Sequence, residues 1–91
     1  MIEKGCVVIS TAGRDFGKLF IVLQVVDEDY CLIADGRLRR VINPKKKKMK
    51  HVRFWCENNL PIFDKIISGV QINDAEIRKA LNILSSPKDG F

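Results

Sequence analysis

Negative charge is missing from one stretch of this chain. Between residues 37 and 53 there is no Asp or Glu, while Arg37, Arg39, Arg40, Lys45, Lys46, Lys47, Lys48, Lys50 and Arg53 place nine cations there. Other absences narrow the function. No apolar run approaches the ~20 residues of a membrane span. The start, Met1-Ile2-Glu3-Lys4, lacks the long apolar region of a secretory signal. Cys6, Cys31 and Cys56 are an odd number without a CxxC pair, so no disulfide framework is expected and the cytosol is the default compartment. Three dispersed cysteines and a single His, His51, do not supply the close ligand pairs of a zinc site, so neither metal nor cofactor is expected. Catalysis is not expected either. No Ser-His-Asp or Cys-His signature is present. Gly13-Arg14-Asp15-Phe16-Gly17-Lys18 is one residue short of a phosphate-binding GxxxxGK loop, and Leu19 stands where Ser or Thr would hold magnesium.

What is present is a mildly acidic body with one concentrated cationic stripe. Outside residues 37–53 the chain has seven basic and eleven acidic residues. Such segregation is the footprint of a protein that meets a polyanion on one face. A plain solvated charge run is the alternative. The 91 residues make one domain with a modest core, and 46% hydrophobic content argues against disorder.

The first half reads as strands, because β-branched and aromatic residues dominate short runs separated by turn signals. The runs are residues 6–9, 18–26, 30–34, 37–42 and 51–55. Asp35-Gly36 is the strongest turn signal, suited to a tight hairpin, and Asn43-Pro44 marks another break. Five short strands with tight turns predict a small barrel that closes its own edges. Lys45 to Lys48, after Pro44, are expected in a solvent-exposed basic loop, and Val22 and Val25 in the core. Beyond the joint at Asn58-Asn59-Leu60-Pro61 the period changes. Ile62, Phe63, Ile66, Ile67 and Val70 recur at helical spacing, with Gly69 placed to stop a helix. Asn73 with Glu76 forms a variant capping box ahead of the stripe Ile77, Ala80, Leu81 and Leu84, and Ser85-Ser86-Pro87 ends it. The expected organisation is a barrel over residues 1–57 and a helical extension over 58–91 covering one barrel face; a docking surface for a partner is the rival use of that stripe.

The loop Gly5-Cys6-Val7-Val8-Ile9-Ser10-Thr11-Ala12-Gly13-Arg14-Asp15-Phe16-Gly17-Lys18, with the apolar strand after it, resembles a KOW motif. The likeness continues through Asp35-Gly36-Arg37-Leu38-Arg39-Arg40 and Asn43-Pro44-Lys45-Lys46-Lys47-Lys48-Met49-Lys50-His51. This ordered set, over residues 1–56, resembles the KOW group of archaeal and eukaryotic large-subunit ribosomal proteins and the small KOW RNA-binding proteins of Gram-positive bacteria. The chain departs from many KOW motifs after Lys18, where Leu19-Phe20-Ile21 stand in place of a further Gly. The resemblance implies a mainly β, SH3-like barrel that binds RNA, here carrying one or two short C-terminal helices.

The residue chemistry points the same way. Gly13 and Gly17 let the backbone approach a phosphate chain, or simply shape the turn. Arg14 and Lys18 flank that loop, Arg as a planar fork and Lys as a point charge. Asp15 would repel RNA and is expected to cap its own loop, and Asp35 to do the same in the next. If residues 37–42 form a strand, Arg37 and Arg39 share one face, and Arg40 needs an edge position or a partner such as Asp35. Tyr30, Phe54 and Trp55 lie nearest the stripe and are expected in the core rather than as stacking platforms. The expected RNA-binding set is therefore Gly13, Arg14, Lys18, Arg37, Arg39, Arg40, Lys45, Lys46, Lys47, Lys48, Lys50, His51 and Arg53. The expected partner is RNA, in the first place ribosomal RNA, in a cytoplasmic and ribosome-associated setting with ribosomal or translation-factor proteins nearby. An SH3-like module recognising an acidic protein is the alternative. A membrane binder is disfavoured, since the chain has no lipid-anchor motif and no basic amphipathic helix.

Overall fold

A computed structural model describes residues 1–85. Five strands, β1 (Val7–Ser10), β2 (Leu19–Val25), β3 (Tyr30–Ala34), β4 (Lys45–Lys48) and β5 (Val52–Cys56), form one antiparallel sheet in the order β4-β3-β2-β1-β5. Two helices follow, α1 (Pro61–Ser68) and α2 (Asp74–Leu84). This is a mainly β, SH3-like fold with a helical cover. The expected closure does not occur: β4 and β5 are the two outer strands and the sheet stays open between them. A 3₁₀ turn at Met49–His51 separates them, and its ends are held elsewhere. The Met49 amide donates to the Asp29 carbonyl at 2.7 Å, and the Thr11 amide donates to the His51 carbonyl at 2.9 Å. The chain is thereby turned across to β1 instead of pairing back onto β4.

Strands β1 and β2 are apolar on both faces, and each face has its own core. On the inner side Val8, Phe20 and Val22 pack with Cys6, Cys31, Ile33 and Val52. On the outer side Val7 and Ile21 pack under the helices, against Ile62, Ile66, Ile77, Ala80 and Leu81. Side chains alternate along a strand, so the runs Val7-Val8 and Phe20-Ile21-Val22 read as continuously apolar because both sides are covered.

Each helix has a start and a stop. Pro61 sits in the first turn of α1, where its missing N–H costs nothing, and Gly69 ends the helix in the left-handed conformation. For α2, the Asn73 side chain accepts from the Glu76 amide and the Glu76 carboxylate accepts from the Asn73 amide, a complete capping box. The buried stripes are Ile62 and Ile66 on α1 and Ile77, Ala80 and Leu81 on α2, whereas Ile67 and Val70 are exposed. Helix α2 ends at Leu84 with Ser85 as its C-cap, at the start of the expected Ser85-Ser86-Pro87 stop; Ser86 and Pro87 lie outside the described residues.

Other expectations need correction. Residues 37–42 are not a strand. Asp35 accepts from the amides of Arg37 and Arg39 at 2.8 and 3.0 Å, curling the backbone into a wide turn rather than a two-residue hairpin. The fourth strand is instead the lysine run itself, with Leu32 opposite Lys46 and Cys31 opposite Lys47. Lys47 is accordingly buried, at 7% exposure, and not in a solvated loop. Val22 is buried as expected, but Val25, near the free end of the β2–β3 hairpin, is exposed. Phe54 and Trp55 lie at an outer strand and are about half exposed, not core.

Candidate nucleic-acid interface

Two long loops converge at one end of the sheet: residues 11–18 between β1 and β2, and residues 35–44 between β3 and β4. Three ties hold them. The Arg39 guanidinium donates twice to the Asp15 carboxylate, through Nε at 3.3 Å and Nη2 at 3.0 Å. Lys47 Nζ donates to the Ala12 carbonyl at 2.9 Å, and the Ser10 hydroxyl donates to the same oxygen at 3.0 Å. The His51 carbonyl takes the Thr11 amide, as above. The 11–18 loop is thus fixed to β4 and to the 35–44 loop, although these segments lie far apart in sequence.

Asp15 does not have the expected role. Its carboxylate is almost fully buried, at 5% side-chain exposure, and neutralised by Arg39, at 30%. Arg39 is therefore paired within the fold, across 24 positions of sequence. Lys47 is similar. Cross-strand partners point to the same side, so Lys45 and Lys47 share the inner face with buried Ile33 and Cys31. The Lys47 stem runs along that core while its amine reaches the polar loop, the usual way a lysine is buried. Lys46 and Lys48 point outward and are exposed, with the Lys46 ammonium 4.7 Å from the centre of the Tyr30 ring.

The remaining expected site residues sort by exposure. Gly13, Arg14, Lys18, Arg37, Arg40, Lys50 and Arg53 are exposed, and Lys45 and His51 are half-buried. Gly13, with φ +76°, lies against the Lys47 amine: a Cβ there would come 3.6 Å from Nζ. Arg40 Nε donates to the Arg37 carbonyl at 3.3 Å, so Asp35 is not its partner; Asp35 holds its own turn, as expected. The loop end thus gathers Arg14, Lys18, Arg37 and Arg40, while Lys46, Lys48 and Lys50 continue the charge along and beyond β4.

Helix α2 also reaches this end. Asp74 accepts from the Val41 amide at 2.8 Å, and Arg78 Nη1 donates to the Gly36 carbonyl at 2.7 Å. Nothing in the sequence stripe of α2 marks these residues except their spacing of four, which puts both on one helix face. Trp55 Nε1 donates to the Leu84 carbonyl at 3.3 Å, tying β5 to the end of α2. Among the described residues no cluster of three or more His, Cys, Asp or Glu could hold a metal ion, and no helix is long and apolar enough to cross a membrane. Burial raises the pKa of the Cys6 thiol and, with the nearby Cys6 adding to it, pushes Cys31 up to about 11; both are core side chains rather than nucleophiles.

No protein-family model matches the chain. Over 51 residues it is 35% identical to the large ribosomal subunit protein eL14 of Methanococcus vannielii, a stretch covering 56% of this chain and 60% of that protein. The likeness is to a protein of the large ribosomal subunit, as the motif residues imply, and it takes in somewhat over half of each chain.

Proposed function

We propose that the chain is a non-catalytic RNA-binding module of the KOW ribosomal group, and that it meets ribosomal RNA with the loop end of its sheet. One observation carries this: the Asp15–Arg39 pair joins the two loops and the Lys47–Ala12 bond anchors the first of them to β4, so that exposed Arg14, Lys18, Arg37 and Arg40 share one end of the fold. The similarity to a large-subunit ribosomal protein supports the choice of RNA, and specifically of ribosomal RNA. Lys46, Lys48, Lys50 and Arg53 extend the contact along the backbone of the nucleic acid, where charge sets affinity without reading sequence. Arg39 and Lys47 act from behind, by fixing the loops. Helices α1 and α2 act as a cover, and α2 seats the 35–44 loop. The proposed setting is the cytoplasm, on or near ribosomes.

Crosslinking in cells followed by sequencing of the attached RNA tests this reading. Enrichment of ribosomal RNA fragments is the expected result. Recovery of messenger fragments alone would defeat the ribosomal assignment, and a clean acidic protein partner without RNA would favour the protein-recognition alternative.

A further inference from the structure

A groove runs between the turn at 35–38 and the flank of α2 that carries Arg78 and Leu81. It is open to solvent and has a volume of about 460 Å³, within the ~300–1,000 Å³ of small-ligand sites. Lys18, Arg37 and Arg78 stand around it, Leu19 and Leu81 lie at its floor, and Leu38 stands at its rim, 73% exposed. Asp35 also lines it, but its Oδ1 already accepts the Arg37 and Arg39 amides. Three cations thus face one committed carboxylate. Arg78 comes from a helix outside the basic stretch of sequence. Its bond to the Gly36 carbonyl fixes the guanidinium at the groove edge and uses one of five N–H donors.

Cations alone would suit any phosphate chain. The leucines ask for more, since an apolar floor beside a phosphate site suits a flat base, and only an unpaired base can leave its stack to reach it. We propose that this groove binds one nucleotide of single-stranded RNA, its phosphate held by Lys18, Arg37 and Arg78 and its base laid over Leu38 and Leu81. The proposal rests on the RNA-binding reading above and assigns α2 a direct part in it.

The test uses the full chain and two probes, a fluorescein-labelled oligouridine of about twelve nucleotides, a length within known single-strand site sizes, and an RNA duplex of equal length. Arg78→Met keeps the stem that packs on the 35–38 turn and removes the fork. It is expected to weaken oligouridine binding about five- to tenfold and to flatten its salt slope by about 0.7, with duplex affinity within about twofold. Leu38→Ala removes no charge and, being exposed, leaves the melting curve unchanged. It is expected to weaken oligouridine binding about threefold at an unchanged salt slope. Equal losses on both probes, or no loss on oligouridine from either variant, would overturn the groove. If Arg78→Met lowers the melting temperature, Leu38→Ala decides alone. Lys46→Ala with Lys48→Ala is the control: weaker binding by this pair while the groove variants bind normally refutes the groove and leaves the RNA reading standing. A wild-type chain that binds neither probe refutes the RNA reading itself.

Discussion

Substituting the lysines of β4 one at a time should divide them into two kinds. Lys47 is the informative position. Its amine bond to the Ala12 carbonyl is charge-assisted, a class that contributes about 1.5–3 kcal/mol. Ala12 keeps the Ser10 hydroxyl when Lys47 is cut back, so no acceptor is orphaned and the lower part of that range applies. The buried stem adds about 0.8 kcal/mol per CH₂, partly offset because a half-desolvated ammonium is no longer kept from water. Lys47→Ala should therefore lose about 2–3 kcal/mol, a fall of about 10–20 °C in melting temperature for a domain of this size. Lys47→Met keeps the stem and should lose about 1 kcal/mol. Lys46→Ala together with Lys48→Ala removes two exposed charges and one ammonium over Tyr30, and should cost less than about 1 kcal/mol. That pair should nevertheless flatten the salt dependence of RNA binding by about 1.4, two phosphates' worth. Circular dichroism melts and urea titrations give the first numbers, and anisotropy across a salt series gives the last. A Lys47→Ala chain melting with wild type, or a Lys46/Lys48 variant melting with Lys47→Ala, would refute the division of the strand into an inner and an outer row.

Further outcomes follow from single contacts. Gly36→Ala places a Cβ 2.5 Å from the Asp74 carbonyl at a φ of +76°, and should cost more than about 3 kcal/mol in urea titrations, whereas Gly17→Ala, with open space around it and only its φ to strain, should cost about 1–2. Asp15→Asn leaves Arg39 without its charge partner; since Arg39 is a third exposed, the loss read from the same titrations should be about 1–2 kcal/mol. Cys31 should resist an aromatic disulfide reagent at pH 8 until the chain unfolds, while Cys56, only partly buried, reacts earlier. The folded pKa of Cys31 is raised, from 9.0 to about 11, so the stability it contributes is complete below pH 9 and is lost as pH climbs through 11; melting temperatures should fall over that interval and a Cys31→Val chain should show less of the fall.

Much of the frame was legible in the residues. The β3 run at 30–34, the Gly69 stop and the Asn73–Glu76 capping box depend on local chemistry, and all three occur as read. The lysine run departs from expectation for a physical reason. Four consecutive lysines have neither the alternation nor the β-branched content of a strand, and it is the pairing with Tyr30–Ala34 that makes them one, a tertiary effect that overrides local preference. The turn after Asp35-Gly36 was right in place and wrong in length, because the carboxylate bonds two amides further along the chain. At the candidate site, the sign and crowding of charge were plain from composition. Which cations face solvent was not: the Asp15–Arg39 pair spans 24 positions, and no short-range pattern encodes it. Arg78 was invisible for the same reason, lying on a helix whose approach to the basic loop is set by packing.

The two-sided covering of β1 and β2 has a consequence for the chain as it is being made. The sheet needs Cys56, which pairs with Val7, before its fifth strand can close on the first. The helices that shelter the outer row follow the sheet in the chain and must dock on it to cover that row. Until then Val7 and Ile21, together with Leu19 and Leu23, form a wet apolar strip on a nearly finished sheet. Docking of Ile77 and Leu81 is what keeps that strip from water, so a chain with its helices undocked would present an adhesive surface.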